Sequence, residues 1–252
     1  CGGSFSFSPG HSGVASSSTT FSGGGGGAGG GSSSSINGGN GSAGTVVVSY
    51  NGSSITTIQS NLSINAGSGR ITLAGNVNAT TLTLNSTHAS SSVDGNIAGA
   101  TLVSISGGIV EFKGANTYTG ATTISAGTLR VTGSLSDSTA VTVASGATYD
   151  VAANDTVASL AGAGNVNLNS NTLTLGGSAN TTYSGVMSGT GVLVKAGTAN
   201  FTMSGVNTYT GATTISAGSL SLSGSGSVAT SSKVTATGTF DISATTTGAS
   251  IT

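Results

Sequence analysis

Asp94, Glu111, Asp137, Asp150, Asp155 and Asp241 are the six acidic side chains of this chain, and His11 and His88 its two imidazoles. Paired carboxylates cleave glycosidic bonds when they stand roughly 5 to 9.5 Å apart across the scissile linkage. Asp150 and Asp155 are near enough in sequence to be tried as such a pair, but a solvated edge of the fold is the favoured reading of both. His88 lies in the polar run Ser86-Thr-His-Ala-Ser-Ser-Ser92, six residues before Asp94, so a serine hydrolase has only its residue types, Ser, His and Asp, to recommend it. No Gly-x-Ser-x-Gly elbow presents a nucleophile. Gly224-Ser-Gly-Ser-Val-Ala229 formally satisfies a dinucleotide fingerprint, yet no helical pattern follows it. No Lys precedes Ser or Thr, which removes a phosphate-binding loop, and there is no aspartate-rich calcium loop. The single cysteine, Cys1, allows neither an internal disulfide nor a Cys-based metal site. The expectation is a non-enzyme with no catalytic residues, no metal and no cofactor.

The elements that would position any site are built from an unusual composition. Only 4% of the 252 residues are charged, against roughly 25% in an ordinary soluble domain, while 44 are Gly and one is Pro. A net charge of −1 and a pI of 6.0 provide no electrostatic footprint for nucleic acid or an anionic membrane. The longest aliphatic run is Val46, Val47, Val48, far short of the roughly 20 residues of a membrane-spanning helix. No nucleic-acid partner and no transmembrane segment are expected.

Residues 1–44 read as a Gly/Ser-rich leader. Gly23 to Gly31 is glycine except for Ala28, followed by Ser32 to Ser35, a flexible composition. Ser4-Phe5-Ser6-Phe7-Ser8 has strand periodicity with Phe5 and Phe7 on one face. This segment, 4–8, is a candidate subunit-pairing strand that adds to an exposed sheet edge, although a strand folding back on its own domain is the favoured alternative. Cys1-Gly2-Gly3 resembles the mature end of a bacterial lipoprotein, making Cys1 a candidate lipidation site; an arbitrary fragment start is the alternative.

From residue 45 to 252 apolar residues come in pairs two apart, such as Ile71/Leu73, Leu82/Leu84, Val141/Val143 and Leu173/Leu175, separated by Gly, Asn and Ser clusters. That is the pattern of many short strands, and the chain reads as all-β. Self-comparison adds an internal repeat: Gly114-Ala-Asn-Thr-Tyr-Thr-Gly-Ala-Thr-Thr-Ile-Ser-Ala-Gly-Thr-Leu129 returns as Gly205 to Leu220 with two changes. The offset is 205 − 114 = 91 residues and runs from 114–160 to 205–251. Strands carrying a single apolar pair cannot bury that face alone, so coils must stack into a β-solenoid with like residues in columns. At about 25 to 30 residues per coil, the repeat would make three coils and place Asp150 and Asp241 about 15 Å apart. Stacked Asn and Thr can bond along the axis, whereas stacked like charges repel. The structural residues of the repeat are Asn116, Tyr118, Ile124 and Leu129, and their counterparts Asn207, Tyr209, Ile215 and Leu220. Tyr118 and Tyr209 are read as buried fold determinants rather than sugar-stacking aromatics. Asn116 and Asn207 are read as turn residues that tolerate a left-handed backbone.

The Gly-x-Asn-Thr-Tyr-Thr-Gly-x-Thr-Thr-Ile-x-x-Gly-Thr-Leu pattern, together with Tyr183-Ser-Gly-Val-Met-Ser-Gly-Thr-Gly-Val-Leu-Val-Lys195, resembles the passenger-associated strand repeat of bacterial autotransporters, over roughly residues 92–252. Residues 62–85 are similar, less distinctively, to large secreted hemagglutinin-type β-helices. The resemblance implies a right-handed parallel β-helix at the bacterial cell surface or outside the cell, without catalytic residues. The family's membrane β-barrel is not in this sequence, which stops at Ile251-Thr252 within the repeat pattern. The leading expectation is a structural subunit that self-associates head to tail into a surface filament or matrix fibre. The alternative is an adhesin passenger rod with a host or cell-surface glycan or protein ligand. A polysaccharide-active β-helix comes third.

Overall fold

The computed structural model describes residues 61–246 together with the strand backbones of Ser34–Asn37 and Thr45–Val48. Cys1, Phe5, Phe7, His11 and the 4–8 segment lie outside the described residues. Every strand pairing among those described is parallel, joining each strand to its counterpart in the next coil of a solenoid of about nine turns. No helix is long and apolar enough to cross a membrane among these residues.

The coil has three faces. The first runs through Leu62–Asn65, Thr81–Asn85, Ala140–Val143 and Asn200–Met203, and the second through Arg70–Leu73, Thr148–Val151 and Asn165–Asn167. These two faces merge into one large sheet because Leu102–Phe112 and Ala121–Val131 continue around the corner between them. The third face holds a five-stranded sheet from Asp155–Val157 to Val234–Ala236 and the pair Val77–Asn78 and Ile97–Ala98.

Alternation decides which side chains enter the core. In Thr81–Asn85 only Leu82 and Leu84 point inward, and they lie in register with Leu62 and Ile64 of the coil before and Val103 and Ile105 of the coil after. Leu62 is nearly and the other five fully buried; each such side chain contributes about 1.5 to 3 kcal/mol. The outward row between them reads Ser63, Thr83, Ser104, Thr123, Thr142. Where charges do stack outward they alternate in sign: Glu111, Arg130 and Asp150 are neighbours in register on the second face.

Coil length differs from the sequence expectation. Between adjacent coils Asp150 and Asn167 are 17 residues apart, Met187 and Asn207 are 20 apart, and Gly162 and Tyr183 are 183 − 162 = 21 apart. The coil therefore closes in about 20 residues, against the roughly 25 to 30 expected. The corners are tighter than three ordinary loops would be. At the corner between the first and second faces Gly164, Gly185 and Gly205 stack, and a Cβ on either of the last two would collide with the carbonyl oxygen of the glycine below.

The shorter coil has a consequence for the repeat. Ile124 pairs with Val143, Val143 with Gly162, Gly162 with Tyr183 and Tyr183 with Met203, which is four coils along the first face. Ile215 lies two faces further, on the third face, between Lys195 and Ala236. Leu129 sits on the second face between Val110 and Tyr149, and Leu220 on the first between Phe201 and Phe240. The repeat offset therefore spans four and two-thirds coils, and the second copy is turned by one face about the axis. Near-identical segments do not share columns, contrary to the expectation of three coils. Asp150 and Asp241 likewise fall on different faces.

Candidate functional site

The repeated motif builds a corner lock, and its two copies have matching geometry despite lying on different faces. In the first, the Tyr118 hydroxyl is 2.6 Å from Thr122 Oγ1, which is 3.0 Å from Thr139 Oγ1 in the next coil. Thr139 in turn donates to Gly120 O at 2.7 Å. In the second, Tyr209 is 2.6 Å from Thr213 Oγ1, Thr213 is 2.9 Å from Ser231 Oγ, and Ser231 donates to Gly211 O at 2.8 Å. Each chain of hydroxyls is buried, so every polar atom in it must find a partner inside the protein. Burial pushes both phenols, Tyr118 and Tyr209, up to about 12. Rings buried in this way cannot stack on a sugar.

Asn116 and Asn207 tie the same corner to both neighbouring coils. Asn116 Oδ1 accepts the Ile97 N–H at 2.7 Å, while Nδ2 donates to Gly114 O and Ser134 O at 3.1 and 2.7 Å. Asn207 repeats this with Met187 N–H at 2.9 Å and with Gly205 O and Ser227 O at 2.9 and 3.0 Å. Neither has a left-handed backbone; among the described non-glycine residues that conformation belongs to Asn169, at φ 51°. The shared amide geometry, rather than turn tolerance, explains asparagine at both places. Ile124, Leu129, Ile215 and Leu220 are fully buried beside the locks.

The carboxylates are dispersed by the wall of the solenoid. Asp150 points outward, accepting Asn169 Nδ2 at 2.7 Å and Asn167 Nδ2 at 3.2 Å, with Arg130 Nε at 3.9 Å. Asp155 points inward and is only 4% exposed, which corrects its reading as a solvated edge and breaks the proposed pair. Its Oδ1 accepts the N–H groups of Leu135 and Thr156 at 3.0 and 3.1 Å, and Oδ2 accepts the Tyr149 hydroxyl. Asp94 is paired with Lys113 Nζ at 2.8 Å; burial works against its charge, but Lys113 and Ser92 outweigh that and hold its carboxyl below the usual range. Glu111 faces the same lysine at 4.0 Å. The His88 ring accepts the Ser90 N–H at 3.1 Å through Nδ1. No group of three or more His, Cys, Asp or Glu is placed to hold a metal among the described residues. Lys195, unremarked in the sequence, is buried between Leu175 and Ile215, with Nζ donating to the carbonyls of Gly197 and Ala217 at 2.5 and 3.4 Å. A Lys at an inward position of an alternating strand is the signal that marks it.

Fold and site together define a parallel β-solenoid whose most specific sequence feature is a buried structural lock. Two stretches, residues 102–131 and 193–222, match the family model described as passenger-associated-transport-repeat. The chain thus carries this repeat twice, each match containing the Asn, the Tyr and the first Thr of one lock, and repeat and solenoid together fit an autotransporter passenger. No curated protein and no solved structure matches the chain.

Proposed function

We propose that this chain is a segment of the rod of an autotransporter-type passenger, a non-enzymatic scaffold displayed on or secreted from a bacterial cell. The observation that carries the reading is the pair of passenger-associated repeats set in a solenoid that buries the Asn, the Tyr and the first Thr of each lock. Asp150 and Asp155 lie on opposite sides of the wall, an arrangement unsuited to paired-carboxylate bond cleavage. The finer role is adhesion, with the rod carrying a glycan- or protein-binding region away from the cell. The test is protease shaving of intact cells expressing the whole protein, followed by immunoblotting with antibody against residues 61–246. Loss of the signal without lysis supports surface display, and full protection overturns it.

A filament subunit is the second reading. Every described strand pairing is parallel, a stacking that a second copy would continue along the same axis. Electron micrographs of the purified chain distinguish the two: continuous fibres favour the filament, isolated short rods the passenger.

A further inference from the structure

We propose that Asp155 is a pH-sensitive element of the rod, a core carboxyl that tightens the middle coils in acid and loosens them above neutrality. At Asn116 and Asn207 a neutral amide oxygen accepts a backbone N–H of the preceding coil, and the amide nitrogen donates to carbonyls. Asp155 performs the accepting half of this task for Leu135 N–H, also one coil back on the third face. A carboxylate has no nitrogen to donate, and here the donor is supplied from outside: the Tyr149 hydroxyl reaches Oδ2. The Tyr149 hydroxyl can donate to Oδ2 of the charged group or accept a proton from the neutral one, so the site holds the carboxyl in either state.

Among the described residues no cation compensates the charge. The titratable groups facing Asp155 are Tyr149 from the second-face strand, Tyr118 from the lock below and Asp137 from the turn after Leu135, none of them basic. Burial pushes its carboxyl up to about 6; the Tyr149 hydroxyl and the N–H groups of Leu135 and Thr156 pull the other way, and Asp137 adds to the rise. With the folded value above the unfolded 3.8, the native state holds the proton more tightly. Stability from this group is therefore present in full below about pH 4, falls as pH rises towards 6 and is gone above about 7.

Thermal unfolding of the chain and of Asp155→Asn at pH 5 and 7.5 tests this. The parent should melt about 3 to 6 °C higher at pH 5 through this group alone. Asp155→Asn should lose that increment and melt at pH 7.5 no lower than the parent, because the amide is neutral and Tyr149 can accept from its nitrogen. An unchanged pH dependence in the variant, or an equal fall at both pH values, overturns the proposal. Should the variant fail to fold, hydrogen exchange at the Leu135 and Thr156 amides of the unmodified chain reads the same equilibrium. Greater protection at pH 5 than at 7.5, after correction for intrinsic rates, supports it, and equal protection overturns it.

Discussion

Replacing Gly177 by alanine should loosen the rod, whereas the same change one residue earlier, at Gly176, should tighten it. Neither glycine has a left-handed backbone, so the contrast isolates the distance between coils. A Cβ on Gly176 would meet nothing nearer than Thr156 Cγ2 at 3.7 Å, an ordinary contact. A Cβ on Gly177 would run into the Ala158 carbonyl, 2.9 Å from its carbon and nearer still to its oxygen. That oxygen is the acceptor of the Gly177 N–H at 2.8 Å, and the adjacent Gly176 N–H reaches Val157 O at 2.9 Å. A local shift of about 1 Å at Gly177 would take its N–H beyond hydrogen-bonding distance of the Ala158 oxygen. Overpacking of about 1 to 3 kcal/mol and about 1 kcal/mol for a lost hydrogen bond give a cost of roughly 2 to 4 kcal/mol for Gly177→Ala. Gly176→Ala should gain about 0.4 to 1 kcal/mol by restricting the unfolded chain. In thermal unfolding followed by far-ultraviolet circular dichroism, the first should melt about 5 to 15 °C lower than the parent and the second about 1 to 3 °C higher. Equal melting of the two variants in either direction would refute the idea that coil spacing, rather than backbone conformation, demands glycine here.

Tyr209→Phe should cost about 1 to 2 kcal/mol, since Thr213 keeps Ser231 as its partner, while Tyr209→Ala should cost about 3 to 5 kcal/mol; denaturant titration separates the two. Asn207→Ala strands the Met187 N–H and should destabilise by about 1 to 3 kcal/mol, with Asn116→Ala similar through Ile97; a large difference between them would contradict matching locks on different faces. Burial lowers the proton affinity of Lys195, so its ammonium costs stability at pH 7 that is recovered as pH rises towards 10.5. Lys195→Met should be at least as stable as the parent at pH 7, by up to about 1 kcal/mol, with the gap closing towards pH 10. Spin labels at Thr123 and Thr202, on one face four coils apart, should report an axial separation of about 19 Å plus the label arms. Moving the second label to Thr214 should give the longer distance expected across faces.

The strands and the inward residues were legible because alternation is strict: Leu82 and Leu84, or Leu173 and Leu175, declare a face within one short strand. The lock residues were legible because the motif is copied almost letter for letter. What the sequence hid depended on coil length. Thr139 and Ser231 complete the two locks, yet they are of different types and 231 − 139 = 92 residues apart, one off the repeat. They are found only once the length of a coil is known. The inward turn of Asp155 was hidden for the same reason. Between Asn116 and Asp155 lie two coils of unequal length, and without that count no pattern in the sequence puts an aspartate on the column where Asn116 works.

The mismatch between the repeat offset and a whole number of coils explains why the motif could be copied at all. If the motif had specified a face, a copy landing one face round would have set its side chains against the wrong neighbours. It specifies a corner instead: Asn bonds backbone groups of the coils on either side, Tyr and Thr close on each other within the turn, and only one side chain, a hydroxyl, is asked of the next coil. In a solenoid each coil touches only its neighbours, so a self-contained corner is stable wherever the chain places it. Ile124 can thus rest on Val143 and Ile215 on Ala236 with no loss of geometry in either lock. The same independence means that the outward residues of successive copies, Thr123 and Thr214, are displayed in different directions. Any surface built from the repeat would therefore wind around the rod instead of running along it.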